Sequence, residues 1–119
     1  MRIAISTQGS EPNAPVDLRF GRAHFFRIVD TETGQQTTGD NSDGVNAVQG
    51  AGVQAAQMLA RLGVQAVLTG HVGPKALSAL QAANIQVYAV SAGTAEQAVQ
   101  DFLADRLRAL AQADVRGHW

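Results

Sequence analysis

Two short stretches carry residues whose types and spacing suit the gripping of an anion. The first is Thr69-Gly70-His71-Val72-Gly73-Pro74-Lys75. It joins an apolar, strand-like run to the start of a helical one, and open α/β sheets hold ligands where strands hand over to helices. Backbone N–H groups at such a junction lack helical partners, and the helix dipole favours negative charge there. Gly70 and Gly73 let a ligand approach the backbone, while His71 and Lys75 add donors. The phosphate-binding spacing G-x-x-x-x-G-K-[ST] is absent. An ordinary strand-to-helix turn with an exposed histidine is the plain alternative.

The second stretch is Asp17-Leu18-Arg19-Phe20-Gly21-Arg22, with two arginines three positions apart around Phe-Gly. Guanidinium groups bind anions through several directed donors at once. Phe20 offers an apolar or π surface, and Asp17 can pair with Arg19 or Arg22 and fix its rotamer. A solvated salt-bridge cluster that contributes little is the alternative here. A third stretch, Gly50-Ala51-Gly52-Val53-Gln54-Ala55, matches the loose G-x-G-x-x-A pattern. A polar loop precedes it, however, and the following strand ends in Thr69-Gly70 instead of a ribose-binding acid. It reads as a close-packed or ligand-facing helix start, not as a dinucleotide site.

Other chemistries lack their residues. His24, His71 and His118 show no metal-ligand spacing, and only His71 is positioned to touch a ligand, so it is the best candidate for a metal contact. The acids are scattered, the first strand ends in Ser6-Thr7, and no serine lies in a nucleophile elbow. A non-catalytic binding protein is expected.

The elements that must position these loops follow from periodicity. Arg2–Thr7 reads as a strand, residues 8–17 as a loop, and Phe25–Asp30 and Gln35–Thr38 as a hairpin joined by a turn. Residues 39–50 form the longest stretch without a periodic signal. From Val53 the spacing turns helical, with Val53, Ala56, Leu59, Ala60 and Leu62 on one face and Gly63 as terminator. Val64–Thr69 is a buried strand. A second helix opens at Gly73-Pro74, turns Ala76, Leu77, Leu80 and Ala83 inward, and ends at Asn84 in a left-handed cap. Ile85–Val90 is the last strand. Thr94 and Gln97 have capping-box spacing ahead of Val99, Phe102, Leu103, Leu107 and Leu110, read as one amphipathic helix, with residues 115–119 a frayed tail. The order β-β-β-α-β-α-β-α predicts a single domain over residues 1–119. Its class is a three-layer α/β/α sandwich, with a mixed five-stranded sheet and an antiparallel hairpin edge.

Composition narrows the partners. A chain of 119 residues with 45% apolar residues can bury roughly two-thirds of its unfolded surface. Its formal net charge of −1 gives no general field for nucleic acid or an anionic membrane, so neither is an expected partner. Lys75 is the one lysine beside eight arginines, which favours directed contacts over diffuse attraction. The absence of cysteine removes disulfides and thiolate ligands. No signal-peptide core or bilayer-length run is present, so the cytoplasm is the expected compartment.

Taken in order, Asp17–Arg22, Gly50–Gly52, Gly63-Val64-Gln65-Ala66-Val67-Leu68-Thr69-Gly70-His71-Val72-Gly73-Pro74-Lys75-Ala76 and Ile85-Gln86-Val87-Tyr88 resemble the dinitrogenase iron–molybdenum cofactor-binding domain family. The resemblance spans nearly the whole chain and implies a ribonuclease H-like motif fold. Within that family, this short cysteine-free chain is similar to carriers of a molybdenum–copper sulfide cluster. What the resemblance implies is non-covalent binding of a preformed metal–sulfur anion, with an iron–molybdenum cofactor type as the alternative cargo. It lacks the cysteine motif and extra helical domain of larger relatives, so carriage is implied and synthesis is not. The cluster would bring its own sulfides. The protein would supply Arg19, Arg22, His71 and Lys75 as donors, Phe20 and Val72 as apolar contacts, and Gly21, Gly70 and Gly73 as close backbone. Residues 41–49 would cover the site. Protein partners including an ATPase, a monomer or weak dimer, an adaptor role and an enzyme acting on a small phosphorylated metabolite complete the expectations.

Overall fold

A computed structural model describes residues 1–42 and 50–110. Among these residues, six strands form one mixed sheet: β1 (Arg2–Thr7), β2 (Phe25–Asp30), β3 (Gln36–Asp40), β4 (Ala66–Thr69), β5 (Gln86–Ala89) and β6 (Arg108–Ala109), in the order β3-β2-β1-β4-β5-β6. β1, β4 and β5 run parallel, while β2, β3 and β6 join by antiparallel pairing. Among the described residues, three helices accompany the sheet: α1 (Ala51–Arg61), α2 (Pro74–Ala82) and α3 (Ala95–Leu103).

Strand alternation divides the core into two layers. Ala4, Phe26, Ile28, Val67 and Val87 face α1 and α2, where Ala55, Ala56, Leu59, Ala76, Leu77 and Leu80 meet them. Ile3, Ile5, Val29, Ala66 and Leu68 face α3 through Ala95 and Ala98. The result is the expected α/β/α sandwich. The inner face of α1 is rotated from the expected one. Ala51, Gly52, Ala55, Ala56 and Leu59 are buried, whereas Ala60 and Leu62 are exposed. Small residues let α1 approach its neighbours closely, so alanine and glycine mark the inner face more than the bulkier leucine does. Ala83, expected on the inner stripe of α2, is likewise exposed.

The last helix is shorter than its apolar spacing predicts, and a sixth strand replaces its second half. α3 ends at Leu103, and Asp105 adopts a left-handed φ of 59°. The Arg106 N–H then bonds back to Asp101 O (2.8 Å) and the Asp105 N–H to Phe102 O (3.0 Å). Leu107 and Leu110 go to opposite sides of the sheet, one against each core layer.

α1 and α2 finish the same way as α3. Gly63 (φ 74°) and Asn84 (φ 60°) occupy the same left-handed position after α1 and α2. Val64 N–H bonds to Leu59 O and Ile85 N–H to Leu80 O, the six-to-one closure of a Schellman motif. A methyl group on Gly63 would meet nothing closer than Arg2 Nη1 at 3.5 Å, so only its backbone conformation resists substitution. Gly63→Ala is therefore expected to cost about 1 kcal/mol, read as a fall in Tm of about 4 °C. At the other end of α3, Thr94 Oγ1 accepts the Gln97 N–H (3.2 Å) as the capping spacing predicts. Gln97 turns its own amide to Asp101 (3.1 Å) instead of back to Thr94.

In the hairpin turn between β2 and β3, Asp30 Oδ1 accepts the N–H groups of Glu32 (2.9 Å) and Thr33 (3.3 Å). These bonds favour the charged form and hold the carboxyl below its ordinary value of 3.8. A depressed folded-state value means this stabilisation is present above the unfolded value and fades as pH falls through the folded one. A carbon-detected NMR titration of Asp30 should give a midpoint below 3.8.

Candidate functional site

The carboxyl ends of β1, β4 and β5 lie at one edge of the sheet, and each runs into a loop there. The loop after β1 crosses this edge. Thr7 pairs with Val16 and Pro15 with Thr94, while the Val16 N–H bonds to Gly93 O (2.9 Å) and the Ala95 N–H to Ala14 O (2.9 Å). The β5–α3 loop is thus tied to the β1 loop.

The two anion-suited stretches, about fifty residues apart in sequence, are joined by backbone. His71 N–H donates to Leu18 O (2.7 Å), and Phe20 N–H donates to His71 O (3.2 Å), so Arg19 and His71 pair as a short parallel bridge. Gly70 is what allows the contact: a Cβ there would lie 2.6 Å from Leu18 O and 2.7 Å from Leu18 Cα. Its role is close packing of two loops, in addition to any approach by a ligand.

Buried polar groups brace this edge from beneath. Among the described residues, Ser6, Thr7, Asp17, Asn41 and Thr69 are the buried polar ones, and all five lie at this end of the sheet. Ser6 Oγ donates to Asp17 O (2.6 Å) and sits 2.7 Å from Thr69 Oγ1. Asp17 Oδ1 accepts the Arg19 N–H (3.0 Å) and its Nε (3.4 Å). Asn41 Nδ2 donates to Ala23 O (2.8 Å) and Gly21 O (3.4 Å), holding the Phe20–Ala23 segment against the end of β3. Nearby, the Ser42 hydroxyl and N–H both bond to Asp40, and with a smaller contribution from His24 they hold its carboxyl below the ordinary value.

Each expected site residue has a definite position on this framework. Arg19, His71 and Lys75 are exposed and Arg22 is half-buried, all on loops or at the start of α2. Gly21, Gly70 and Gly73 are buried backbone within the same loops. Phe20 and Val72 depart from expectation. Both are 0% exposed and belong to the core, Phe20 packing against the tilted ring of Phe26 at 5.4 Å, so neither offers a ligand its surface. Their side chains point inward because their neighbours' backbones are spent joining the loops. Half-buried Leu18 and the exposed Ser91–Gly93 segment are the surfaces that remain. The expected supply of backbone donors is also smaller, since the N–H groups of Asp17, Arg19, Phe20 and His71 all have internal partners. At the start of α2, Leu77 N–H is the first to reach a helical carbonyl, that of Gly73 (3.0 Å). Asn41 at this edge carried no signal in the sequence beyond its place after a polar strand. Of the expected cover over residues 41–49, residues 43–49 lie outside the described residues, as do His118 and the tail.

The sequence profile described as dinitrogenase iron-molybdenum cofactor matches residues 1–105. The chain belongs to this family. Among solved structures, the apo form of the orange protein from Desulfovibrio gigas is 43% identical, covers 96% of each chain and superposes with a TM-score of 0.93. A putative NifB protein from Thermotoga is 33% identical over 98% of each chain, with a TM-score of 0.86. An uncharacterised protein of Methanocaldococcus jannaschii is 30% identical over 97 residues, 80% of this chain and 82% of its own. The orange protein and the Thermotoga protein thus share the overall fold.

A groove of about 420 Å³ lies elsewhere, lined by Leu77, Gln81, Ile85, Gln86 and Leu110 near the opposite end of β5. It has no charged lining residue and does not suit an anion. Among the described residues, no three His, Asp or Glu side chains come together as a metal-ligand group, and no helix is long and apolar enough to cross a membrane.

Proposed function

We propose that this chain is a non-catalytic carrier of an anionic molybdenum-containing metal–sulfur cluster, a molybdenum–copper sulfide, held without covalent bonds. The observation that carries the reading is the backbone clip between Leu18–Phe20 and His71, which unites two donor-bearing loops at the strand ends. Membership of the iron–molybdenum cofactor family and 43% identity to the orange protein support it.

The physical case is one of matched softness and charge. A sulfide-rich cluster is bulky and weakly hydrated, so it gains from directed N–H donors more than from a small polar cage. Asp17 engages the Nε of Arg19, and the terminal guanidinium nitrogens of this exposed side chain would serve the cluster. His71, Arg22 and Lys75 would add donors around it, and half-buried Leu18 would be the apolar contact. With no cysteine in the chain, the grip acts on the cluster's own sulfides, and His71 is the imidazole best placed for a metal contact.

The test is reconstitution. Purified protein mixed with tetrathiomolybdate and copper should develop visible charge-transfer bands that saturate at a fixed cluster-to-protein ratio. A spectrum identical to that of the same cluster in buffer would end the proposal.

A further inference from the structure

The two edges of the sheet are built differently. β6 is two residues long and includes Arg108, the short charged form that blocks strand addition. β3 is five residues long, and its Gln36-Thr37-Thr38-Gly39 run carries no charge and no proline. No strand among the described residues lies beyond it.

Register fixes which groups β3 presents outward. Asp30 N–H bonds to Gln35 O and Asn41 N–H to His24 O, each pair directly opposite in the β2–β3 ladder. Alternation then turns the backbone of residues 35, 37, 39 and 41 toward β2, and that of Gln36, Thr38 and Asp40 away from it. We propose that this edge pairs with β3 of a second copy, antiparallel about a two-fold axis at Thr38, so that one sheet runs through both chains.

That register uses every outward group. Thr38 exchanges bonds with its own counterpart, and Gln36 with Asp40 of the other copy. Charge agrees with it. Gln36 Oε1 already accepts from Arg27 Nη2 (2.7 Å) and Nε (2.9 Å), so the incoming Asp40 arrives on the face that carries this guanidinium. On the opposite face, Thr37 of one copy lies over Gly39 of the other. A methyl at Gly39 would sit 3.7 Å from Leu62 Cδ1 and 3.8 Å from Met58 Cε, so the threonine methyl has apolar neighbours there. Leu62 is 37% exposed in the single chain and gains cover. The contact is small and the association correspondingly weak.

Sedimentation velocity from micromolar to millimolar protein tests it, together with amide exchange at both ends of the range. The mean mass should rise from 12.5 kDa toward twice that value. Amides of Gln36, Thr38 and Asp40 should slow severalfold at high concentration while those of Thr37 and Gly39, already bonded to β2, stay unchanged. Thr38→Pro removes an outward donor and should abolish the mass increase. Asp40→Asn keeps the acceptor for Ser42 and should weaken association severalfold and reduce its salt dependence. A mass that stays at 12.5 kDa to millimolar concentration overturns the proposal. So does association that both variants leave intact, or protection that spares the three outward amides.

Discussion

Gly70→Ala is expected to lower stability by about 3 kcal/mol, from overpacking and the loss of two inter-loop hydrogen bonds. It should also strip the protein of cluster binding. The reason is local and steric. The new methyl would have to occupy space within 2.7 Å of Leu18 O and Cα, both backbone atoms that cannot swing aside as a side chain tip can. The loops must part, breaking the His71–Leu18 and Phe20–His71 bonds. Thermal unfolding should show a fall in Tm of about 10 °C, well beyond that expected for Gly63→Ala, where a methyl would meet only Arg2 Nη1 at 3.5 Å. Heteronuclear NMR should place the largest shifts at residues 17–22 and 70–73. If Gly70→Ala melts within a degree or two of the parent and still takes up cluster, the clip does not organise the site.

The second large effect separates binding from folding. Arg19→Ala and Lys75→Ala each remove a donor on an exposed side chain, so each should change stability by no more than about 0.5 kcal/mol. A hydrogen bond to a charged group is worth about 1.5–3 kcal/mol, so each variant should weaken cluster binding about tenfold and the pair about a hundredfold. Titration of tetrathiomolybdate and copper into each variant, followed in the visible, reads this directly. Variants that bind like the parent would mean the cluster is gripped elsewhere. Variants that unfold would mean these side chains support the fold.

Much of this architecture is legible in the residues because local signals agree. Alternation in Arg2–Thr7 and Phe25–Asp30, Gly63 and Asn84 as helix ends, and Pro74 as a helix start are each local rules, and each element appears where those rules put it. Leu107 and Leu110 stand three apart, a spacing that fits one helical face and equally two opposite faces of an extended chain. Asp105 decides between them by turning left-handed, and aspartate advertises that conformation far less than glycine does. Phe20 and Val72 are ambiguous in the sequence for a different reason. Their types suit a ligand wall or a core equally well, and only the long-range pairing of Arg19 with His71 turns them inward. Asn41 bonds to carbonyls eighteen and twenty residues away, a relation that no window along the chain contains.

The loops at the strand ends are sewn together through main-chain atoms, with amides and carbonyls of Leu18, Phe20 and His71 forming the seam. A seam of that kind is indifferent to most of the side chains it carries. Positions 19 and 75 can therefore be randomised on a chassis that keeps its shape, and selection from such a library would retune which inorganic guest is accepted without rebuilding the host.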